Sequence, residues 1–296
     1  MKRLLLIMLL CVLPSAVSAE NRLALLEGVA QSAAALQPGL ESYQATIHTD
    51  RIAATIETMT ASIPADLPRP EVPKVIKYWR RGAPRSVIIA SGAQTAPLVQ
   101  QMVQRISASL EVEPEELLLP PGRATERQRL AAQATIKSTA TSLADTVLQR
   151  VEINFAAPAD VGDAFYGNGL RLPQNGISRL LFDIDVNSRT VRELTVQTAA
   201  GEQLLAEFRY RPANGGLIAE RVRVTSPDGK IDDRLEVTFT EESGYLLPQK
   251  TVRHLQRPDL QDHLEVTFSG YRVNQQFPAE VEAQFASQGK PAVTAP

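Results

Sequence analysis

The chain has 296 residues, of which 31 are lysine or arginine and 33 are aspartate or glutamate, so its formal charge at pH 7 is -2. No block of basic residues follows the N-terminus, and we expect no nucleic-acid partner. The single cysteine, Cys11, lies in an N-terminal apolar run, so the rest of the chain excludes disulfides, thiol nucleophiles and cysteine-ligated metals. We expect neither a cofactor nor a metal. A chain of this length can bury roughly three quarters of its unfolded surface in one domain without cross-links.

The N-terminus is typical of a cleaved secretory signal peptide. Lys2 and Arg3 precede the apolar run, and a stretch of small residues ends at Ala19. The run is too short to span a bilayer, and Cys11 does not follow a small residue, which argues against lipidation. We therefore predict a signal peptide over residues 1–19 and a periplasmic mature protein that does not span the membrane, with secretion as the second choice.

The first part of the mature chain mixes helix and strand signals. Apolar residues recur at helical spacing from Leu25 to Leu36, and Pro38-Gly39 ends the pattern. Residues 43–47 alternate between apolar and polar, as in a strand. Residues 52–59 fit either a strand or a helix, because their apolar positions satisfy both periods.

A proline-rich connector and a hairpin follow. Four prolines between residues 63 and 73 predict an extended connector, and residues 75–89 predict two strands joined by a turn. The hairpin carries the only tryptophan next to two arginines, so Trp79, Arg80 and Arg81 are candidate partner-binding residues, since aromatics and arginine dominate binding hot spots. The alternative is a strand end with Trp79 in the core and the cations in water.

A helical insertion is predicted at about residues 96–150. Its first helix has an apolar stripe from Leu98 to Leu110, and its second runs from Thr125 towards Ala144. Four apolar residues follow helical spacing in and just beyond the second helix, namely Ile136, Ala140, Leu143 and Val147.

Residues 177–268 predict one continuous antiparallel meander. Apolar and polar residues alternate in successive runs, and turn signals such as Asn214-Gly215-Gly216 and Pro227-Asp228-Gly229 separate them. We expect residues 20–285 to form a single domain. The remaining residues, 286–296, offer nothing to bury and are predicted to be disordered.

One face of the meander is apolar throughout and is the candidate ligand-binding surface. Nine residues make up this apolar wall: Leu180, Phe182, Ile184, Phe208, Val222, Val237, Phe239, Val266 and Phe268. Transfer of an acyl chain from water gains about 0.8 kcal/mol per methylene, so eight methylenes gain roughly 6 kcal/mol with no specific polar contact. The alternative is a wall packed completely on helices, with no room for a ligand.

The sequence contains no residue set that dictates a chemistry, and we expect no enzyme. No Gly-x-Ser-x-Gly elbow is present. His254 and His263 are predicted to face each other across a ladder, where they could share a metal, but no third ligand is forced and we interpret them as an exposed pair. Two pairs of carboxylates are interpreted as solvated side chains of the polar sheet face: Asp183 with Asp185, and Asp232 with Asp233.

The closing motif Tyr271-Arg272-Val273-Asn274-Gln275-Gln276-Phe277 follows a leading helix, early strands, an insertion and the meander. This order and motif resemble the periplasmic outer-membrane lipoprotein carrier superfamily, which is LolA/LolB-like. Its members often end the last core strand with Tyr-x-Val-Asn-x-x-x-x-Phe, whereas here Phe277 follows Asn274 by three positions. The resemblance implies an α+β fold whose strongly curved antiparallel sheet, an incomplete barrel, is wrapped around or covered by about three helices. It also implies an apolar cavity for acyl chains, and it assigns no individual binding residue.

Two functions follow from these observations. The first is a periplasmic carrier or sensor that holds an acylated ligand, a lipid or a lipoprotein, between the sheet and the helices. The second is a non-enzymatic envelope scaffold that docks a protein partner through a sheet edge or the Trp79 hairpin. Space between Phe182, Phe208, Phe239 and the helices would favour the carrier, and a filled interior would favour the scaffold.

Overall fold

The computed structural model describes residues 19–61, 72–83, 85–91, 113–114, 116–143 and 146–288. Several predicted features lie outside these residues: the signal peptide up to residue 18, most of the proline-rich connector, the helix expected from Leu98 to Leu110, and the tail from residue 289. Within the described part, no helix has both the length and the apolarity needed to cross a bilayer.

Twelve described strands form one antiparallel sheet, in the order β3-β2-β1-β12-β11-β10-β9-β8-β7-β6-β5-β4. They are β1 (Ser42–His48), β2 (Lys74–Arg80), β3 (Val87–Ser91), β4 (Ala134–Leu143), β5 (Thr146–Ala159), β6 (Ile177–Asp185), β7 (Thr190–Thr198), β8 (Gln203–Ala213), β9 (Gly216–Thr225), β10 (Asp232–Glu242), β11 (Tyr245–Arg257) and β12 (Leu260–Val273). Strands β3 and β4 are the two edges, so the curved sheet stays open rather than closing into a barrel. The predicted meander is confirmed, because β6 to β12 each pair with the next strand in the chain.

Within the described residues, four α-helices pack on the sheet: α1 (Ala19–Ala34), α2 (Asp50–Thr60), α3 (Ala124–Ala131) and α4 (Ala279–Gln288). Helices α1 and α3 pack over the middle and the β4 side of the sheet, and α2 packs near β1 and β12. Helix α4 lies on the opposite face of β2 and β3, where Phe277 and Phe285 contact Tyr78 and Val87. Three residues of the tail that was predicted to be disordered therefore belong to α4.

Residues 52–59, which fit either period, form α2. Thr49 precedes the helix in an extended conformation and its side chain accepts a hydrogen bond from the Arg51 N–H, and Asp50 lies in the first turn. Ile52 and Ile56 are buried. The Thr49 cap and the four-residue spacing of the buried Ile52 and Ile56 favour a helix over a strand here.

The predicted second helix of the insertion is wrong beyond Ala131. The chain turns into β4, which pairs residue by residue with β5 from Ala134↔Phe155 to Leu143↔Thr146. Of the four residues at helical spacing only Ile136 is buried, whereas Leu143 is 41% and Val147 71% exposed. The helical spacing of these four residues therefore does not correspond to a buried helix face. Strand β4 instead forms backbone hydrogen bonds with β5, whose polar groups on this edge would otherwise have no partner in the sheet.

The closing motif joins the first and last strands of the described chain. Asn274 follows β12 with a φ of 52°, and its Oδ1 accepts hydrogen bonds from the backbone N–H groups of Glu41 (2.8 Å) and Ser42 (3.1 Å). Its Nδ2 donates to the Gly39 carbonyl at 2.7 Å. One side chain thus fixes the start of β1 beside the end of β12, the only place in the described sheet where strands far apart in sequence pair.

Candidate ligand-binding site

The apolar wall is divided between two hydrophobic clusters. The large cluster, beneath β5 to β10 and α1, contains six of the nine wall residues: Leu180, Phe182, Ile184, Phe208, Val222 and Val237. Phe239 packs at its margin. The second cluster, formed by α2, β1, β2, β11 and β12, contains Val266 and Phe268. All nine residues lie on the covered face, and their role in binding stays a prediction.

Space between the wall and the helices is present only in part. Phe182 is fully buried, with its ring centroid 6.0 Å from that of Phe165, so this part of the interior is filled. Phe208 lines a cavity of about 280 Å³. Phe239 lines a void of about 20 Å³, which holds no more than a water-sized group.

The cavity of about 280 Å³, here called the α1 cavity, lies between the C-terminal half of α1 and strands β8 and β9. Val29, Ala33 and Leu36 line it from the helix side, and Phe208 and Ala219 line it from the sheet. The turn between β6 and β7, residues 187–190, and the segment around Leu117 and Leu118 close its sides. The Tyr210 hydroxyl, which also lines it, donates to the Val191 carbonyl at 2.8 Å, and burial raises the pKa of Tyr210.

A second cavity of about 250 Å³, here called the hairpin cavity, lies beneath the turn between β2 and β3. Trp79, Arg81 and Arg85 come from the hairpin, and the opposite side is formed by residues 120–123 and by the loop Gly167-Asn168-Gly169. Leu117 lines both cavities and stands between them.

The hairpin side chains proposed for partner binding make contacts within the chain. Trp79 is 5% exposed and stacks on Tyr43 at 5.2 Å between ring centroids, as the core interpretation of this strand end expects. Arg80 forms an ion pair with Glu282 at 2.5 Å and lies over the rings of Phe277 and Phe285 of the α4 region.

Arg81 holds the end of α1 in place. Its guanidinium donates to the carbonyls of Ala34 (2.8 Å), Leu36 (3.2 Å), Gln37 (3.1 Å) and Leu40 (2.7 Å). These carbonyls lie at and beyond the C-terminal end of the helix, where they lack helical partners and where a cation is favoured by the helix dipole. Arg81 thereby fixes the helix end that borders both cavities.

Gln37 provides a second anchor for the same helix end. Its side chain is 2% exposed, its Nε2 donates to the Leu246 carbonyl at 2.9 Å, and its Oε1 accepts from the Leu246 N–H. The amide thus binds the β11 backbone as a neighbouring strand would. Neither Gln37 nor Arg81 had been selected from the sequence for this role, and no local pattern marks a glutamine that will pair with a strand 209 positions away.

A buried ion pair lies where the two clusters meet. Lys77 is fully buried, and its Nζ pairs with Oε1 of Glu113, which also accepts hydrogen bonds from Tyr43 (2.8 Å) and Ser86 (2.7 Å). The Nζ also lies 5.3 Å from the Phe268 ring centroid. The alternation of Val75, Lys77 and Trp79 was the available sequence signal, because it places the lysine on the same face as two core residues.

Two contacts hold α3 and the glycine loop around the cavities. Arg127 is fully buried and binds both carboxylate oxygens of Glu27 on α1, at 2.7 and 2.9 Å. Arg253 donates to the Gly169 carbonyl at 2.6 Å. Burial, with a smaller effect of Arg171, lowers the pKa of Arg253 to about 10. These contacts fix the positions of α1, α3 and the glycine loop relative to the sheet.

The interpretation of Asp183, Asp185 and Asp233 as solvated carboxylates is wrong. They are only 5–6% exposed. Arg150 covers Asp183 with two hydrogen bonds of 2.6 and 2.7 Å. The physical reason is that each carboxylate lies beneath a long arginine from a neighbouring strand or turn, which a strand-by-strand pattern does not show.

The remaining three carboxylates are also paired with arginines. Asp185 accepts from Arg192 at 3.0 Å, and Asp233 accepts from the Arg257 Nε at 2.9 Å. Asp232 is the partner of both Arg223 (2.9 Å) and Arg234 (2.6 Å). Asp183, Asp185 and Asp232 are thus ion-pair partners on the outer face, whereas Asp233 alternates with buried Leu235 and lies on the covered face. None of the four lines either cavity.

The histidine pair is placed as predicted. His254 lies opposite His263 in the β11–β12 ladder, with 3.1 Å between the two Nδ1 atoms. No group of three or more potential metal ligands occurs among the residues that the structure describes.

No family model matches the chain, and no curated protein does. A domain from Vibrio parahaemolyticus titled as an outer membrane lipoprotein-sorting protein is similar over 92% of this chain and 100% of its own, with 8% identity and a TM-score of 0.34. A LolA superfamily protein from Nitrosomonas europaea is similar over 86% of this chain and 96% of its own, with 9% identity and a TM-score of 0.32. A DUF1329 family protein from Desulfovibrio piger is similar over 90% and 96%, with 8% identity and a TM-score of 0.30. These similarities are remote, and the function of the chain has to follow from its own geometry.

Proposed function

We propose that this protein is a periplasmic carrier or sensor that binds a lipid or the acyl chains of a lipoprotein, with an acyl chain held in the α1 cavity. The observation that supports this proposal is a cavity of about 280 Å³ between α1 and the covered face of β8 and β9. Its volume is just below the range of about 300–1,000 Å³ of small-molecule sites.

The chemistry of the cavity fits an acyl chain. Val29, Ala33, Leu36, Phe208 and Ala219 form an apolar side of the cavity, whereas Ser32 and the turn 187–190 form a polar side. Each methylene that leaves water for such surroundings gains about 0.8 kcal/mol. Contact of an acyl chain with the apolar side of the cavity therefore favours binding without a specific polar contact.

The frame around the cavity supports ligand binding rather than collapse onto the helix. Arg81 and Gln37 hold the end of α1 through backbone carbonyls and the β11 backbone. The β8–β9 turn approaches this end closely, because a Cβ atom on Gly215 would lie 2.9 Å from the Ala35 carbonyl oxygen. A helix fixed by polar contacts at its end can leave apolar space beside it.

The proposal can be tested by measuring fatty-acid uptake in two variants, each with one buried alanine replaced by phenylalanine. Ala219 lines the α1 cavity and Ala90 lies in the second cluster, and both are 7% exposed strand residues. Ala219→Phe should fill the cavity and abolish uptake of a fluorescent fatty acid, whereas Ala90→Phe should retain it. Both substitutions overpack a core and cost about 1–3 kcal/mol of stability, so a loss common to both would report folding alone.

Native mass spectrometry of the protein purified from an envelope fraction provides the second measurement. Wild-type protein should carry a lipid-sized adduct that Ala219→Phe lacks. A clean apo mass for the wild type, together with no uptake of added acyl ligand, would refute the proposal.

A further inference from the structure

We propose that the hairpin cavity binds the anionic head group, a phosphate or similar oxyanion, of the ligand whose acyl chain lies in the α1 cavity. This inference rests on the proposed function and assigns a chemical class to the polar part of its ligand. Three observations support it: an unpaired donor, an excess of cations and the adjacency of the two cavities.

The unpaired donor is the indole N–H of Trp79. Trp79 lines both the hairpin cavity and the void of about 20 Å³ beside Phe239. Its side chain is 5% exposed, and its Nε1 has no hydrogen-bond partner in the described part of the chain. A buried donor without a partner costs about 1–3 kcal/mol. An acceptor oxygen of a ligand would remove that cost, and the indole accepts nothing in return because it is a donor only.

The charges around the cavity favour an anion. The cavity is lined by three arginines (Arg81, Arg85 and Arg123) and three carboxylates (Glu113, Glu116 and Asp163), and buried Lys77, which pairs with Glu113, brings the cations to four. Asp163 is paired with Arg123 at 2.5 Å. Arg85 is exposed and forms no ion pair within the described residues. Arg81 is fixed by backbone carbonyls, with its guanidinium 5.8 Å from the Trp79 ring centroid. Hydrogen bonds between an arginine and an oxyanion are among the strong ones in proteins.

The two cavities are separated only by the segment that contains Leu117. Ala33 lines the α1 cavity and Ala34, the next residue, lines the hairpin cavity. Gly167 and Gly169 let this segment lie close to their loop, because their Cβ atoms would be 2.6 Å from the Glu116 carbonyl oxygen and 2.7 Å from Leu117 Cδ2. The two cavities are thus neighbours on either side of Leu117, and we place the acyl chain of one ligand in the α1 cavity and its head group in the hairpin cavity.

The experiment compares two single-chain ligands below the concentration at which they form micelles: dodecyl phosphate, and dodecyl maltoside, whose head is uncharged. Trp79 is the only tryptophan, so intrinsic fluorescence reports on the hairpin cavity without a label. Wild-type protein should bind dodecyl phosphate on the order of tenfold more tightly, as one additional charged hydrogen bond allows, and only this ligand should shift the Trp79 emission.

Two variants test the head-group site by calorimetry. Trp79→Phe removes the N–H and keeps an aromatic ring, and Arg85→Gln removes the unpaired cation; each should reduce the preference for dodecyl phosphate and leave the affinity for dodecyl maltoside unchanged. Arg189→Gln is the matched control, because Arg189 is also an exposed arginine without an ion pair in the described residues, but it lines the α1 cavity. This control should keep the preference.

The outcomes separate this inference from the proposed function. Equal wild-type affinities for the two ligands, or a preference lost only in Arg189→Gln, would overturn the head-group site and leave acyl binding intact. Inorganic phosphate that shifts the Trp79 emission at the same concentrations as dodecyl phosphate would show a site for free phosphate and also overturn it. Binding of neither dodecyl ligand would instead refute the proposed function.

Discussion

The centre of the sheet and its β1–β2 side are stabilised by different interactions with the elements packed on them. On β6 the side chains that point to the helices are Leu180, Phe182 and Ile184, all fully buried and apolar. On β2 the corresponding positions alternate through Val75, Lys77 and Trp79, so a charged side chain lies between two core residues. The centre is held by apolar area, and the β2 side is held by an ion pair whose partner, Glu113, comes from the segment between the cavities.

This difference shows where a sheet of this kind can keep internal space. Apolar contact has no direction, so the centre packs until it is filled. A buried ion pair has a required geometry and costs free energy when it is broken. It therefore fixes the position of the segment that contains Glu113 and Leu117 without requiring that every space beside the segment be filled. Both cavities lie along this segment.

The largest expected effect is at the filled centre. Phe182→Ala should lower the free energy of unfolding by about 3–5 kcal/mol, because a fully buried phenyl ring leaves a cavity in tightly packed surroundings. Phe239→Ala is the matched control at the margin of the large cluster, where the ring is only partly buried, and it should cost about half as much. Denaturant unfolding measures both, and equal losses would contradict the distinction between a filled centre and a looser margin.

The ion pair gives the next test. Glu113→Ala leaves Lys77 buried without its carboxylate and should cost about 3 kcal/mol. The double variant Lys77→Met with Glu113→Leu should recover most of that loss, because it removes both charges and keeps the apolar volume. Denaturant unfolding of the single and double variants measures the coupling. A cost below about 1 kcal/mol for Glu113→Ala would show that the pair does not hold the segment.

The smallest effect is expected for an ion pair on the outer face. Hydrogen bonds from Arg223 and then Arg234 hold the pKa of Asp232 below its usual range. Because its folded pKa lies below its unfolded value, the stabilisation is present above about pH 4 and is lost as the pH falls towards the folded pKa. Both arginines are half-exposed, so solvent screening limits the effect to about 0.5 kcal/mol.

Asp232→Asn provides the measurement for the outer face. Its unfolding midpoint in denaturant should differ from that of the wild type at about pH 6 and approach it at about pH 2. A difference as large as that of Glu113→Ala would mean that the outer pairs matter as much as the buried one, which would remove the contrast between the two regions.

Much of the fold could be predicted because its signals are local. The Asn214-Gly215-Gly216 turn joins β8 and β9 where the alternation breaks. The short turn after Arg257 sets the register that places His254 opposite His263. Turn chemistry and period-two alternation act within a few residues, so the sequence contains the information directly.

The errors occurred where a distant partner decides. Residues 134–143 have a spacing that also fits a helix, and the long pairing with β5 makes them a strand. Asp183 has the pattern of a solvated residue until Arg150 of the neighbouring strand covers it. In both cases, the free energy of the interaction with the distant partner exceeds the weak local conformational preference. The local sequence pattern does not show which partner will be present.

By itself, the sequence determined the strands of the meander, their turns and which of their side chains face inward, because alternation and turn residues act over short distances. The tertiary structure alone decided where the interior is filled and where it is open. The positions of the cavities depend on how Arg81 and Gln37 hold the end of α1 and how Lys77 holds Glu113. Such contacts join residues far apart in the chain, and their geometry exists only after the sheet has curved around the helices.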